Sequence, residues 1–184
     1  SLYGQGGNDL LRSTGYVSSA LYGGDGDDQL YGGASTNYLD GGAGNDYLQG
    51  GNNNTTYVFA RGYGHDTVAT KLYTGSNLAK IKLLDLNQND VEYGIRRREE
   101  DGTIYQDFVV TIKATGETMT VLNGANSNWY NRIQNIEFGD GTSITYVEAL
   151  GQGIHATSAD EELTIHYAGA LYGEGGNDIL RSSG

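Results

Sequence analysis

Gly23-Gly24-Asp25-Gly26-Asp27-Asp28, followed two residues later by Leu30, is the stretch on which the reading of this chain turns. Three glycines in six residues allow a tight turn, because glycine tolerates positive φ. The turn closes on an Asp, and the apolar residue beyond it marks a short strand. The same shape recurs as Gly4-Gln5-Gly6-Gly7-Asn8-Asp9 before Leu11, Gly41-Gly42-Ala43-Gly44-Asn45-Asp46 before Leu48, and Arg61-Gly62-Tyr63-Gly64-His65-Asp66 before Val68. The closing Asp residues fall at 9, 28, 46 and 66, at intervals of 19, 18 and 20. Turns also occur between them, but there the Asp position holds Ser18, Asn37 or Thr55. One side of the repeat keeps a ladder of carboxylates and the other has lost it. A solvated glycine-rich linker would not sort its Asp residues in this way.

The unit is the nine-residue pattern G-G-x-G-x-D-x-U-x, which builds a parallel β-helix. Two such repeats make one coil, so turns about eighteen residues apart stack on the same side. Over residues 1–69 and 156–184 the chain resembles the RTX, or haemolysin-type calcium-binding, proteins. Tyr57-Val58-Phe59, Gly62 to Val68 and Ile136 to Thr142 resemble the non-repetitive domain often found beside such rolls.

The resemblance implies Ca²⁺ as the cofactor, in about three or more ions. It implies ligands from the closing carboxylates and from backbone carbonyls at odd turn positions. The implied sites group Gly4, Gly6 and Asn8 with the turn of Asp28, then Gly23, Asp25 and Asp27 with that of Asp46, then Gly41, Ala43 and Asn45 with that of Asp66. Asp9 would serve an ion shared with a preceding module, and Asp178 belongs to the following roll. In the fourth turn Arg61 departs from the pattern at the first glycine position. The chemistry suits the residues: Ca²⁺ takes six to eight oxygens in flexible geometry. The resemblance also implies type I export and a secreted, extracellular or cell-surface location, with a toxin, adhesin, protease or lipase as parent.

Composition points the same way. The chain has 184 residues, 30 Gly, no Pro, no Cys, 15 Tyr and a net charge of −12. That acidity disfavours nucleic acid, which needs a basic patch, and fits cation binding. Without Cys there is no disulfide frame, which leaves metal or core packing to hold a small extracellular fold. No apolar run is long enough for a transmembrane segment.

The expected architecture is all-β. Residues 1–69 form a calcium-binding parallel β-roll, each repeat giving a six-residue turn and a three-residue strand. Leu11, Leu30, Leu39, Leu48, Tyr57 and Val68 form its core column. Residues 70–80 read as a polar connector. Residues 81–149 read as a hairpin-rich β domain, with turns at Asp101-Gly102, Thr115-Gly116 and Gly139-Asp140-Gly141. Residues 150–184 open a second roll, with Asp160 and Glu161 near a ligand position. Ser1–Gly15 and Ala170–Gly184 match at eleven of fifteen positions, an offset of 169. We therefore expect a fragment of a tandem array, with neighbouring modules of the same parent as partners.

The first functional expectation is a structural module that folds on calcium after export. The alternative is an extracellular adhesion or glycan-binding module, with Trp129 and Tyr130 as a sugar-stacking loop. An enzyme is not expected. There is no G-x-S-x-G elbow, and His65, His155 and His166 have no metal-pair spacing. Arg96-Arg97-Arg98-Glu99-Glu100-Asp101 reads as the solvated end of a hairpin with cross-strand charge pairs.

Overall fold

The computed structural model describes residues 1–51, 53–70, 79–125, 133–155, 162–165, 170–173 and 178–182. Two main sheets face each other across one apolar layer. The first runs β1 (Leu2–Gly6), β3 (Ser19–Asp25), β5 (Asn37–Ala43), β7 (Thr55–Phe59), β9 (Ala79–Leu83), β13 (Ile133–Glu137) and β14 (Ser143–Thr145). The second begins with β2 (Leu10–Arg12), β4 (Gln29–Tyr31), β6 (Tyr47–Gln49) and β8 (His65–Ala69). It continues through β12 (Thr118–Val121), β11 (Thr103–Ile112), β10 (Val91–Glu100), β15 (Ile154–His155) and β17 (Leu171–Tyr172). A separate pair joins β16 (Glu162–Ile165) to β18 (Ile179–Ser182). The chain is an all-β parallel roll extended by hairpins.

The roll coils because turn and strand alternate. Within it every pairing is parallel and in register: Leu21 lies opposite Leu39 and Leu39 opposite Tyr57, while Leu11, Leu30, Leu48 and Val68 align on the other sheet. Leu21, Leu30, Leu39, Leu48 and Val68 are fully buried, and Leu11 and Tyr57 nearly so. Two facing columns, mostly of one residue per strand, make the core of this part, and Phe59 of β7 adds a larger side chain at its end. Burying each Leu contributes about 2 kcal/mol, which is modest for so narrow a layer.

Three features differ from the sequence reading. First, the register places Ser19, not Ser18, opposite Asn37 and hence Thr55. The expected nine-residue count put the position one residue early, and Ser18 is exposed. Second, β3 and β5 are seven residues long, not three. On that sheet the strand pairing runs on into the glycine turn. Third, the hairpin-rich domain expected over residues 81–149 ends in a short helix, α1 (Tyr146–Gly151). Thr145 caps it, accepting a hydrogen bond from the Glu148 backbone N–H, and the Glu148 carboxylate answers at the Thr145 N–H.

The connector expected at 70–80 lies mostly outside the described residues, although Ala79 and Lys80 open β9. From there both sheets carry on. β9 adds in parallel to β7, and β12 adds in parallel to β8. Ile81, Phe108, Val110, Met119, Val121, Ile136 and Phe138 continue the same buried cluster as the roll's leucines. The β10–β11 hairpin turns through Asp101 and Gly102, at φ 51° and 73°. Positive φ at both central positions is the two-residue turn whose twist matches antiparallel strands.

Candidate metal site

The four closing carboxylates stack one per coil. The Asp9 backbone N–H donates to Asp28 Oδ1 at 2.7 Å, the Asp28 N–H to Asp46 Oδ1 at 2.8 Å, and the Asp46 N–H to Asp66 Oδ1 at 3.0 Å. Asp28, Asp46 and Asp66 are each 1–2% exposed. One oxygen of each carboxylate is therefore satisfied by the coil before it. The other, Oδ2 of Asp9, Asp28, Asp46 and Asp66, is buried without a hydrogen-bond partner. A repeated orphan acceptor needs a partner of another kind.

The glycines show where those oxygens face. A Cβ built on Gly23 would lie 2.2 Å from Asp28 Oδ2 and 2.3 Å from the Gly41 carbonyl oxygen. On Gly4 it would lie 2.6 Å from Asp9 Oδ2 and 2.5 Å from the Gly23 carbonyl oxygen. Each cradle brings together a carboxylate oxygen and the first-glycine carbonyl of the next coil. Hard oxygen donors around a point that only glycine leaves open suit Ca²⁺. At Gly41 the three nearest atoms all belong to Asp46, and no carbonyl from the Arg61 turn is among them. There the side chain of Arg61 turns outward to Asp85 and Asp90, at 3.4 and 3.2 Å.

The structure thus gathers Gly4, Gly23, Gly41, Asp9, Asp28, Asp46 and Asp66 along one edge. The unpartnered oxygen of Asp28 faces the following coil, whereas the family pattern groups it with the preceding turn. The third-position carbonyls of Asp25 and Ala43 accept the N–H of Gly7 and Gly26, both at 2.8 Å. Gly6 is exposed, with nothing near its Cβ position. The fifth-position residues form a second ladder. Asn8 Oδ1 accepts the Asp27 N–H at 2.9 Å, Asp27 Oδ1 the Asn45 N–H at 2.8 Å, and Asn45 Oδ1 the His65 N–H at 3.0 Å. Asp178 repeats the Asp9 arrangement, its Oδ2 lying 2.6 Å from the Cβ position of Gly173. Asp160, Glu161, Trp129, Tyr130 and His166 lie outside the described residues.

The electrostatics are those of a site that wants a cation. Burial pushes the carboxyl of Asp46 up to about 6, helped by the charges of Asp28, Asp27 and Asp40 and opposed by the Asp28 N–H. Burial pushes Asp66 up to about 8, with the charges of Asp46, Asp40 and Glu117 adding to it. Asp28 is raised for the same first reason. Among the described residues no three His, Asp or Glu side chains converge as a metal cluster. The donor set is one carboxylate per turn plus backbone carbonyls.

Three side chains have roles that the sequence reading did not assign. Glu117 Oε1 accepts the Gly64 N–H at 3.3 Å, so a carboxylate from β12's approach closes the last turn. Asn37 fills the turn on the other side. Its Oδ1 accepts the Gly33 N–H and the Ser19 hydroxyl, and its Nδ2 donates to the carbonyls of Gly33 and Ser35. The Tyr57 hydroxyl does similar work one coil on, accepting the Gly50 N–H at 3.0 Å. It sits 2.3 Å from the Cβ position of Gly50, much as Asp28 sits beside Gly23. Neutral donors and acceptors there occupy the place that carboxylates leave open opposite. An Asn four residues past a glycine pair is the one signal that could have disclosed this.

Residues 21–57 and 170–184 match the RTX calcium-binding nonapeptide repeat, and residues 107–147 match the haemolysin-type calcium binding protein related domain. The chain is of the RTX type. No curated protein matches it significantly. Its repeats make it a calcium-binding repeat module, and the related domain follows the roll in the sheets as it does in sequence. No described helix is long and apolar enough to cross a membrane.

Proposed function

We propose that this chain is a non-enzymatic module of a secreted RTX protein, and that its roll folds when calcium is met outside the cell. The observation that carries this is the row of buried Oδ2 atoms on Asp9, Asp28, Asp46 and Asp66, each unpartnered and three of them fully enclosed. Bound calcium supplies the positive charge and the missing coordination for those oxygens. The protein's part is to hold them. Gly23 and Gly41 leave room, the backbone N–H groups of Asp9, Asp28 and Asp46 fix the carboxylates, and Glu117 ties off the last turn. Without a cation the like charges oppose stacking, and the thin leucine core has little to set against them.

Extracellular calcium modules work at roughly 10⁻⁴–10⁻³ M. Sites of that strength stay empty in a cytosol and fill outside, which couples folding to arrival. The test is a calcium titration of the whole chain, followed by calorimetry and circular dichroism with Mg²⁺ as control. A cooperative gain of β signal that Asp28→Ala and Asp46→Ala both weaken supports the reading. A chain fully folded in chelator, with no heat of binding, overturns it.

A further inference from the structure

Among the described residues the first coil is an end coil of both sheets. β1 pairs only with β3, and β2 only with β4, so each ends its sheet. Leu2, Tyr3 and Leu10 on that coil are 44%, 66% and 64% exposed. Such an edge offers a row of unpaired N–H and C=O groups to any strand of matching register.

The chain itself shows what fits this sequence. Residues 170–184 repeat residues 1–15 at eleven positions, and that second copy is already docked. β17 pairs in parallel with β15, Leu171 opposite Ile154 and Tyr172 opposite His155. The rings of Tyr172 and His155 stack at 4.8 Å and 17°. β18 pairs in parallel with β16 over four residues, from Glu162 opposite Ile179 to Ile165 opposite Ser182. Gly173 stands to Asp178 Oδ2 as Gly4 stands to Asp9 Oδ2, 2.6 Å in each case. The β15 and β16 edge therefore accepts this sequence, and β1 and β2 carry the same sequence at the other end of the roll.

We propose that the β1–β2 edge is an interaction surface for a second copy of this module, and that it receives that copy's β15 and β16. The repeat sets the register. Leu2 falls opposite the second copy's Ile154, Tyr3 stacks on its His155, and Leu10, Leu11 and Arg12 fall opposite its Glu162, Leu163 and Thr164. The two sides of the contact differ, so it does not close at two copies. It builds a head-to-tail row. In this chain β17 and β18 occupy the β15–β16 edge, and being tethered they outcompete a free copy.

Leu180→Asp tests this by loosening β18 from β16. In sedimentation velocity with calcium, the full chain is expected as a 19.7 kDa species. The variant is expected to form a concentration-dependent ladder of sizes, and adding Leu11→Asp should return it to the single species. Leu180→Asp that stays single at every concentration, with calcium uptake and circular dichroism like the full chain, overturns the proposal while leaving the calcium reading intact. A second measurement does not depend on that variant folding. In a chain where residues 1–169 run directly into residues 1–184, the second copy's Leu10, Leu11 and Arg12 amides should exchange hydrogen at least about tenfold more slowly than the first copy's. Equal rates overturn it.

Discussion

Asp46→Asn separates the two jobs of the carboxylate ladder, because the sign of its effect should reverse with calcium. The amide keeps an oxygen for the Asp28 N–H, which Asp46 Oδ1 accepts at 2.8 Å, but carries no charge. In the calcium-free roll the carboxyl of Asp46 is raised from 3.8 to about 6 by burial and by neighbouring carboxylates. Its stabilising contribution is thus fully present below about pH 4, where folded and unfolded chains are both protonated, and is lost as pH rises through about 6. A rise of roughly two units at about 1.4 kcal/mol each sets an upper bound near 3 kcal/mol. Solvent screening reduces this to about 1–2 kcal/mol. At pH 7 in chelator, Asp46→Asn should therefore stabilise the roll by about 1–2 kcal/mol, and at pH 3.5 it should change little. With calcium the variant should be the less stable of the two and bind at least one ion fewer. The assay is a trimethylamine oxide titration read by circular dichroism at both pH values, with and without calcium. Equal destabilisation under all four conditions would refute the argument, since it would mean that the side chain acts through shape alone.

Three further outcomes follow from the same geometry. Gly23→Ala places a Cβ 2.2 Å from Asp28 Oδ2 and 2.3 Å from the Gly41 carbonyl, so it should weaken calcium binding and cost more than about 2 kcal/mol; Gly6→Ala, with nothing near its Cβ position, should leave the isotherm in place. Asn37→Asp removes the amide donor to Gly33 and Ser35, and should destabilise the chain by about 1–3 kcal/mol in thermal melts. Asp107 is fully buried and binds the Arg98 guanidinium at 3.0 Å and the Asn123 N–H at 2.7 Å. Asp107→Ala should cost about 3–5 kcal/mol in calcium-saturated urea unfolding, without changing the number of ions bound.

The roll was legible because its signal is local. A turn that needs glycine, an Asp that closes it and a leucine two residues on are all written within nine positions, so Leu30, Leu48 and Val68 could be placed inside from spacing alone. The ladder of Asp9, Asp28, Asp46 and Asp66 was legible for the same reason. What the sequence hid depends on contacts between distant residues. Ser19 takes the position assigned to Ser18 because hydrogen-bond register, not repeat counting, sets the coil. Glu117 reaches the Gly64 turn from 53 residues away, and no periodicity points to it. The run from β9 to β14 reads as a separate domain by composition, with fewer glycines and longer alternating strands. Alternation fixes which face of a strand is buried but not which neighbour it joins. Only the pairing of β9 with β7 and of β12 with β8 shows both sheets running on.

The Asp-to-backbone bonds all point one way along the roll, each N–H reaching toward the C-terminal neighbour's carboxylate. At that end Glu117 and the β12 strand close the row. An assembly whose units touch only their neighbours behaves as a one-dimensional lattice, and a lattice with one fixed boundary orders from that boundary. Coils nearest the hairpins should take shape first and the Asp9 coil last. Loss of order on chelation should run back the opposite way, from the Asp9 coil toward the hairpins, like a rope loosening toward its whipping.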